Sequence, residues 1–353
     1  MSLRAAFGGA AALVALAIAP GASAATPRVL VESRYDIPTV AQDAGRIAWV
    51  VARPNPRAEA PWDPACSRLY VRRLRGARSV ELRRSCAVDI WNVQLVGRRA
   101  AWYEPHHGPE GSRYSLYWAI KTAALGDRTV RTLRGGFYSD ERSLSGDATS
   151  LSGDAGTLAY SWSRFRDANG CDLMFDQDCT PDVSVTGGGA WRIVGARAVP
   201  IPGLGPTSRL EAGSGRIARL SDGEIEVRDA VTGESVSRIP VSDYVVDFAL
   251  SRTTIAIVLR ALEADEYRTE VYDLATGALS RVIRRRTAEV DVDGARVAFV
   301  ATGGVWVADG AEPSRRLWRG VATPQSLSVD GNRLVWAVGT LRRDRILALT
   351  VPR

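Results

Sequence analysis

The sequence predicts an all-β fold: a seven-bladed β-propeller of four-stranded antiparallel blades, with an N-terminal strand closing the last blade. Three observations carry this. A short pattern recurs seven times along 353 residues. Its later copies lie about 40 residues apart, the length of one four-stranded blade. Beyond the first two dozen residues, no stretch of about a dozen holds a clean helical period. With 46% hydrophobic and 24% charged residues, the chain can bury a large core and is not a disordered segment.

Taken in order, the chain opens with Arg4, an apolar run from Ala5 to Ala19, a Pro20-Gly21 break and Ala22-Ser23-Ala24. That is the layout of a secretory signal peptide over residues 1–24, and the apolar run is shorter than the roughly 20 residues that span a bilayer. The mature chain, residues 25–353, is then a single propeller domain in a secreted, extracellular or periplasmic setting, with no membrane anchor and as a monomer.

The repeat comprises a turn, one linking residue, an aliphatic residue, a small residue and in most copies an aromatic. It reads Asp43-Ala-Gly-Arg-Ile-Ala-Trp49, Val96-Gly-Arg-Arg-Ala-Ala-Trp102, Asp154-Ala-Gly-Thr-Leu-Ala-Tyr160 and Gly213-Ser-Gly-Arg-Ile-Ala-Arg219. It continues as Ser251-Arg-Thr-Thr-Ile-Ala-Ile257, Asp293-Gly-Ala-Arg-Val-Ala-Phe299 and Asp330-Gly-Asn-Arg-Leu-Val-Trp336. From one small residue to the next (Ala48, Ala101, Ala159, Ala218, Ala256, Ala298, Val335) the steps are 53, 58, 59, 38, 42 and 37. The early steps therefore equal a blade plus an insertion. The strand after each turn is apolar on both faces, as befits one sandwiched between blades. Third strands follow at Leu69–Val71, Leu116–Trp118, Ile225–Val227, Val271–Tyr272 and Val305–Val307, and the turns Asp229–Gly233 and Asp273–Gly277 lead to outer strands. Arg345–Val351 serves as a third strand with no residues left for a fourth, so Arg28–Glu32 is expected to supply it and close the ring.

Asp-Gly-x-Arg-Ile-Ala-aromatic followed by Val-Tyr-Asp-Leu-x-Thr-Gly resembles the WD40-like propeller repeat of TolB-type proteins over nearly all of residues 28–353. The resemblance implies the fold; such propellers serve as binding scaffolds, as lids on hydrolases and as enzymes. The Gly-His and Trp-Asp pair of WD40 blades is absent, and seven copies exceed the six blades of the TolB propeller, so that family's partners do not transfer.

Three insertions, at about 53–65, 103–113 and 163–189, are expected to be loops joining second to third strands, which puts them side by side on one face of the disc. They carry Trp62, Tyr103, His106, His107, Phe165 and Phe175, the aromatic and polar material of a binding surface. Four cysteines in an exported chain suggest disulfides. Of three possible pairings, the sequential one, Cys66–Cys86 and Cys171–Cys179, keeps each bond within one local excursion. The acidic stretch Asp167–Asp182 presents Asp167, Asn169, Asp172, Asp176 and Asp178 as hard oxygen donors for calcium, though Asp172 stands where an EF-hand needs glycine. No other cofactor is expected.

The net charge is +7, almost wholly arginine since Lys121 is the only lysine. The arginine doublets run along the whole chain without aromatic interleaving, which argues against nucleic acid and leaves a protein or an anionic envelope polymer as the partner. With two histidines in one blade, no Gly-x-Ser-x-Gly elbow and no stretch for a hydrolase domain of the prolyl-oligopeptidase kind, a non-enzymatic binding scaffold is the leading expectation. The alternative is a lactonase- or lyase-like propeller enzyme with a metal or polar site at the central channel.

Overall fold

The structure, a computed structural model, describes residues 26–56, 65–107, 115–126, 129–140, 146–169, 180, 182–207, 209–320, 324–340 and 343–352. A first strand, β1 (Arg28–Ser33), precedes seven repeating units. Blade one is β2 (Val40–Asp43), β3 (Arg46–Arg53), β4 (Cys66–Arg73) and β5 (Val80–Ser85). Blade two is β6 (Trp91–Val96), β7 (Arg99–His107), β8 (Ser115–Ala124) and β9 (Val130–Asp140). Blade three is β10 (Gly146–Asp154), β11 (Thr157–Asp167), β12 (Val183–Val194) and β13 (Arg197–Pro200). Blade four is β14 (Leu210–Gly213), β15 (Arg216–Ser221), β16 (Glu224–Asp229) and β17 (Ser235–Pro240). Blade five is β18 (Tyr244–Leu250), β19 (Thr254–Ala261), β20 (Glu266–Asp273) and β21 (Leu279–Ile283). Blade six is β22 (Thr287–Asp293), β23 (Arg296–Ala301), β24 (Gly304–Asp309) and β25 (Arg315–Arg319). Blade seven is β26 (Pro324–Asp330), β27 (Arg333–Gly339) and β28 (Asp344–Thr350), with β1 as its outer strand.

The core is distributed over the seven seams between blades, one apolar cluster to each. This explains why second strands are apolar on both faces. In β3, Ile47, Trp49 and Val51 pack into the seam with blade seven, while Ala48 and Val50 pack into the seam with blade two. In every blade the small residue of the repeat faces the following blade. The aromatic after it faces the preceding one: Trp102 meets the seam holding Ala48, Tyr160 that of Ala101, Phe299 that of Ala256 and Trp336 that of Ala298. Small against large lets the facing strands interdigitate in those four seams. The seam between blades three and four breaks the rule, because Arg219 stands where the aromatic should be and turns to Glu226 at 2.9 Å. That seam holds Ala159, Leu210 and Ile217 but no aromatic ring, and Oγ of Ser161 and of Ser163, both buried nearby on β11, has no hydrogen-bond partner.

The Asp-x-x-Thr-Gly turns are built by their own side chains. The N–H groups of Val231 and Thr232 donate to Asp229 Oδ1, both at 2.8 Å, and those of Ala275 and Thr276 donate likewise to Asp273 Oδ1. Gly233 then takes φ +74°, and a Cβ there would lie 2.1 Å from the Pro202 carbonyl oxygen.

One expectation needs correction. Residues 103–107, 163–167 and 183–189 are strand, not loop. The strands β11 and β12 run for 11 and 12 residues, whereas β15 and β16 have 6 each. Unbroken pairing from Arg99↔Ala124 to His107↔Leu116, and pairing from Ala159↔Arg192 to Asp167↔Val183 with one register shift between Arg164 and Phe165, let the backbone satisfy itself beyond the disc. One further pair, Gly146↔Ser139, joins blades two and three into a single eight-stranded sheet. Tyr103, His106, His107 and Phe165 therefore sit on strands. Cys66–Cys86 is formed as the spacing predicts, linking the start of β4 to the residue just past β5. Cys171 and Cys179 lie outside the described residues.

Ring closure follows the expectation: β1 pairs antiparallel with β28 from Arg28↔Ala348 to Ser33↔Asp344. Leu30 and Val31 pack against the seam cluster that holds Ile37, Trp49 and Ile346. Deleting residues 26–33 exposes the edge of β28 and this apolar patch together. We expect a loss of about 3–5 kcal/mol in unfolding free energy, checked by denaturant melts of the purified truncation against the parent chain.

Candidate functional site

A cavity of about 340 Å³ occupies the centre of the ring. The innermost strand of every blade contributes to its wall, from Gln42 in blade one through Asn92, Asp154, Glu211, Asp247 and Asp291 to Ser328 in blade seven. Glu289 adds another carboxylate, and none of the described lining residues is an arginine or lysine. A chain of net charge +7 thus carries an acidic axis.

The carboxylates stand there because an inner strand has a bare edge. Its N–H groups that do not reach the second strand face the neighbouring blade, and side chains of that blade accept them. Leu327 N–H donates to Glu289 Oε1 at 2.9 Å and Val329 N–H to Asp291 Oδ2 at 2.6 Å, while Gly331 N–H donates to Asp293 Oδ2. These are alternate residues on both strands, as the period of two requires. Asp247 Oδ2 accepts Val290 N–H at 3.0 Å, and Asp43 Oδ2 accepts Gly97 N–H. Elsewhere serine does the same work: Ser326 and Ser328 serve Val40 and Gln42, and Ser150 and Ser152 serve Leu210 and Ala212.

Crowding them in a narrow cavity shifts their protonation. Desolvation, reinforced by Asp291 and Asp293, pushes the Asp154 carboxyl up to about 8. Burial, with Asp247 nearby, raises Glu211 to about 8 against the hydrogen bond from Ser152. Burial likewise carries Asp291 to about 8 and Glu289 to about 7 despite the backbone N–H groups that each accepts. Among the described residues no group of three or more His, Cys, Asp or Glu side chains converges closely enough to hold a metal ion.

The second feature is the joined sheet of blades two and three. Trp162 stacks on Trp191 with centroids 6.2 Å apart, and Trp191 on Tyr160 at 5.4 Å. The Arg134 guanidinium lies 4.5 Å and that of Arg164 5.4 Å from the Trp162 ring centroid. Arg164 is oriented by Asp147, whose buried carboxylate also accepts Trp118 Nε1–H at 3.2 Å. Gly136 permits this packing, since a Cβ there would meet Asp147 Oδ2 at 2.4 Å. At the root of the blade-two hairpin, buried Glu104 accepts Trp102 Nε1–H and the Arg83 guanidinium of blade one.

Of the residues anticipated for binding, Tyr103 is half-buried on β7 and pairs with Ile120, and Phe165 pairs with Val185. His106 and His107 pair with Tyr117 and Leu116. Trp62 and Phe175 lie outside the described residues, as do Asp172, Asp176 and Asp178 of the anticipated calcium stretch. The two members inside it have local partners. Asp167 Oδ1 accepts the N–H groups of Asn169 and Asp182, and Asn169 Nδ2 donates to the Thr180 carbonyl at 2.7 Å.

No protein-family model and no curated protein matches the chain. Solved structures do. An acylaminoacyl peptidase in complex with Z-Gly-Gly-Phe-chloromethyl ketone superposes with TM-score 0.58 at 13% identity, over 90% of this chain and 52% of that one. The Pyrococcus horikoshii acylaminoacyl peptidase gives 0.56 at 12%, over 92% and 52%. The propeller domain of the Pyrococcus furiosus Trilobed protease, described as having an open velcro topology, gives 0.51 at 12%, over 90% and 98%. The chain spans about half the length of those acylaminoacyl peptidases. At such identities the likeness shows the fold, a β-propeller, and this chain differs from the Trilobed protease domain in closing its ring through β1 and β28.

Raised folded-state pKa values set the sign of a pH effect. The unfolded carboxyls titrate near 4, so their stabilising contribution is full below about pH 4 and is lost as pH climbs through 7 to 8. Thermal midpoints should fall from pH 5.5 to pH 8.5. In Asp291→Asn, whose amide oxygen can still accept Val329 N–H, scanning calorimetry across the same range should show a shallower fall and a higher midpoint at pH 8.5.

Proposed function

We propose that this propeller is a non-enzymatic binding scaffold, exported from the cell, that takes a protein or an anionic envelope polymer on the strand extensions of blades one to three. The observation that carries the reading is the joined eight-stranded sheet with its long β11–β12 hairpin. Blades four to six make no such investment, although the fold needs none of it. The sheet holds Arg134 and Arg164 against Trp162 while leaving both exposed. Guanidiniums preorganised in this way lose little entropy on pairing with carboxylate or phosphate. Export is supported by the leader-like residues 1–24 and by the Cys66–Cys86 disulfide, a bond favoured in oxidising compartments. Calcium on the Asp167–Asp182 stretch would serve this reading by ordering the hairpin end.

Two measurements test it. Mass spectrometry of the protein recovered from an expressing bacterium should give Ala25 as the first residue. Interferometry against immobilised polygalacturonate and neutral dextran should show binding to the anionic polymer alone, weakened at least about tenfold in Arg134→Ala/Arg164→Ala; a tenfold loss corresponds to about 1.4 kcal/mol.

A second reading has its own observation. Asp154, Glu211 and Asp291, from three blades, are raised to about 8 around one cavity, so carboxylic acids persist there at neutral pH and could donate a proton to a leaving group. Turnover of a lactone or polysaccharide that Glu211→Gln abolishes would favour this reading over the scaffold.

A further inference from the structure

On the face of the disc opposite the extended hairpins, the turns of blades one and two enclose a groove of about 440 Å³. Its rim carries Arg46, Arg72, Arg73, Arg78 and Arg98, and no carboxylate among the described residues lines it. These arginines come from four places: the start of β3, the end of β4, the β4–β5 turn and the β6–β7 turn. In sequence they are spread over residues 46–98, as single arginines and members of two doublets, and only the blade geometry gathers them.

Elsewhere on the ring several arginines are held by carboxylates. Glu226 takes Arg219, Arg228 and Arg238, Asp309 takes Arg296, and Glu32 takes Arg343. In the groove, Arg72 donates to the Leu30 carbonyl and Arg46 reaches the Gly97 carbonyl, but neither meets a carboxylate at ion-pair distance. The side chains of Arg73, Arg78 and Arg98 are exposed and have no hydrogen-bond or ion-pair partner among the described residues. Gathering five like charges around one concavity is unfavourable without a counter-charge, and such a concavity focuses positive potential. The floor is of the opposite character. Val71 and Leu82 are buried members of the apolar cluster between blades one and two, and Val80 and Leu125 pack against it. The groove is therefore the open end of a hydrophobic seam ringed by guanidiniums. A second groove across the β4–β5 turn repeats the scheme, with Arg28, Arg75 and Arg333 around Leu30, Leu74 and Val335 and again no carboxylate among the described residues.

We propose that the blade-one/blade-two groove is a binding site for a small amphipathic anion, a phosphate, sulfate or carboxylate head group on an apolar body. The head group pairs with Arg73 and Arg98 at the rim, where planar guanidiniums match its oxygens two at a time. The apolar body lies on Val71, Val80, Leu82 and Leu125. The volume falls in the range of small-molecule sites, and the apolar floor distinguishes this ligand from a fully hydrated anionic polymer. This site lies on the other face from the hairpin wall and does not depend on the scaffold reading.

The test is calorimetric titration of the mature chain with octyl phosphate below its micelle concentration. Inorganic phosphate, octyl glucoside and polygalacturonate serve as comparison probes. Octyl phosphate is expected to bind one to one, with affinity falling when salt is raised. Arg73→Ala/Arg98→Ala, which removes two partnerless surface side chains, should weaken it at least tenfold with an unchanged melting midpoint. Arg252→Ala, an exposed arginine on a distant blade, should leave it unchanged. The proposal is overturned if octyl phosphate does not bind, or if the double variant binds it as well as the parent. It is equally overturned if octyl glucoside or inorganic phosphate binds as tightly, or if polygalacturonate occupies the groove in preference to octyl phosphate.

Discussion

The innermost strand of a propeller blade has a ladder partner on one side and a bare backbone edge on the other, and the rest of this molecule depends on how that edge is satisfied. Buried N–H groups left without acceptors would each cost about 1–3 kcal/mol. This chain meets the requirement from the neighbouring blade, with serines at two seams and carboxylates at others. The choice has an electrostatic consequence. Where Glu289, Asp291 and Asp247 do the accepting, negative charge collects on the axis, and burial there holds carboxyls toward their neutral form. The acidic channel is a product of ring construction before it is anything else.

The same logic distributes basic groups. The carboxylates turned inward at Asp43, Asp291 and Asp293 accept backbone N–H groups at the seams. The arginines at the blade turns around blades one and two are left facing solvent over a hydrophobic seam. The ring thus places buried acids on its axis and exposed guanidiniums at the turns of blades one and two. A separation of this kind lets a protein with net charge +7 present surfaces of both signs.

Most of the fold was legible because its repeat encodes packing. The small residue at Ala48 and its counterparts faces the following blade, and the next residue, Trp49 and its counterparts, faces the preceding one; period-two alternation in a doubly buried strand is readable from sequence alone. The closing strand was legible because blade seven ends one strand short. The length of β11 and β12 was not, since Gly187-Gly-Gly189 and Asp167 read as loop chemistry, whereas long-range pairing overrides local propensity. A polar site at the channel was an alternative reading, but the acids that form it were not legible, for a different reason. Its acids sit singly in strands far apart in sequence, and Asp43, Asp154 and Asp293 double as ordinary turn residues. The alternation Glu289-Val-Asp-Val-Asp293 was the one visible signal that acids point where a core strand should be apolar. Convergence of Arg46, Arg73 and Arg98 likewise needs three dimensions, because it joins turns of different blades.

The central claim is that side chains of one blade hold the inner-strand backbone of the next. Native-state amide hydrogen exchange, followed residue by residue, tests it most directly. The account requires the edge amides of Leu210, Ala212, Val290, Leu327 and Val329 to be protected to the same degree as ladder amides within their own strands. Exchange of these five at rates typical of exposed loops, with the ladder amides still protected, would contradict it.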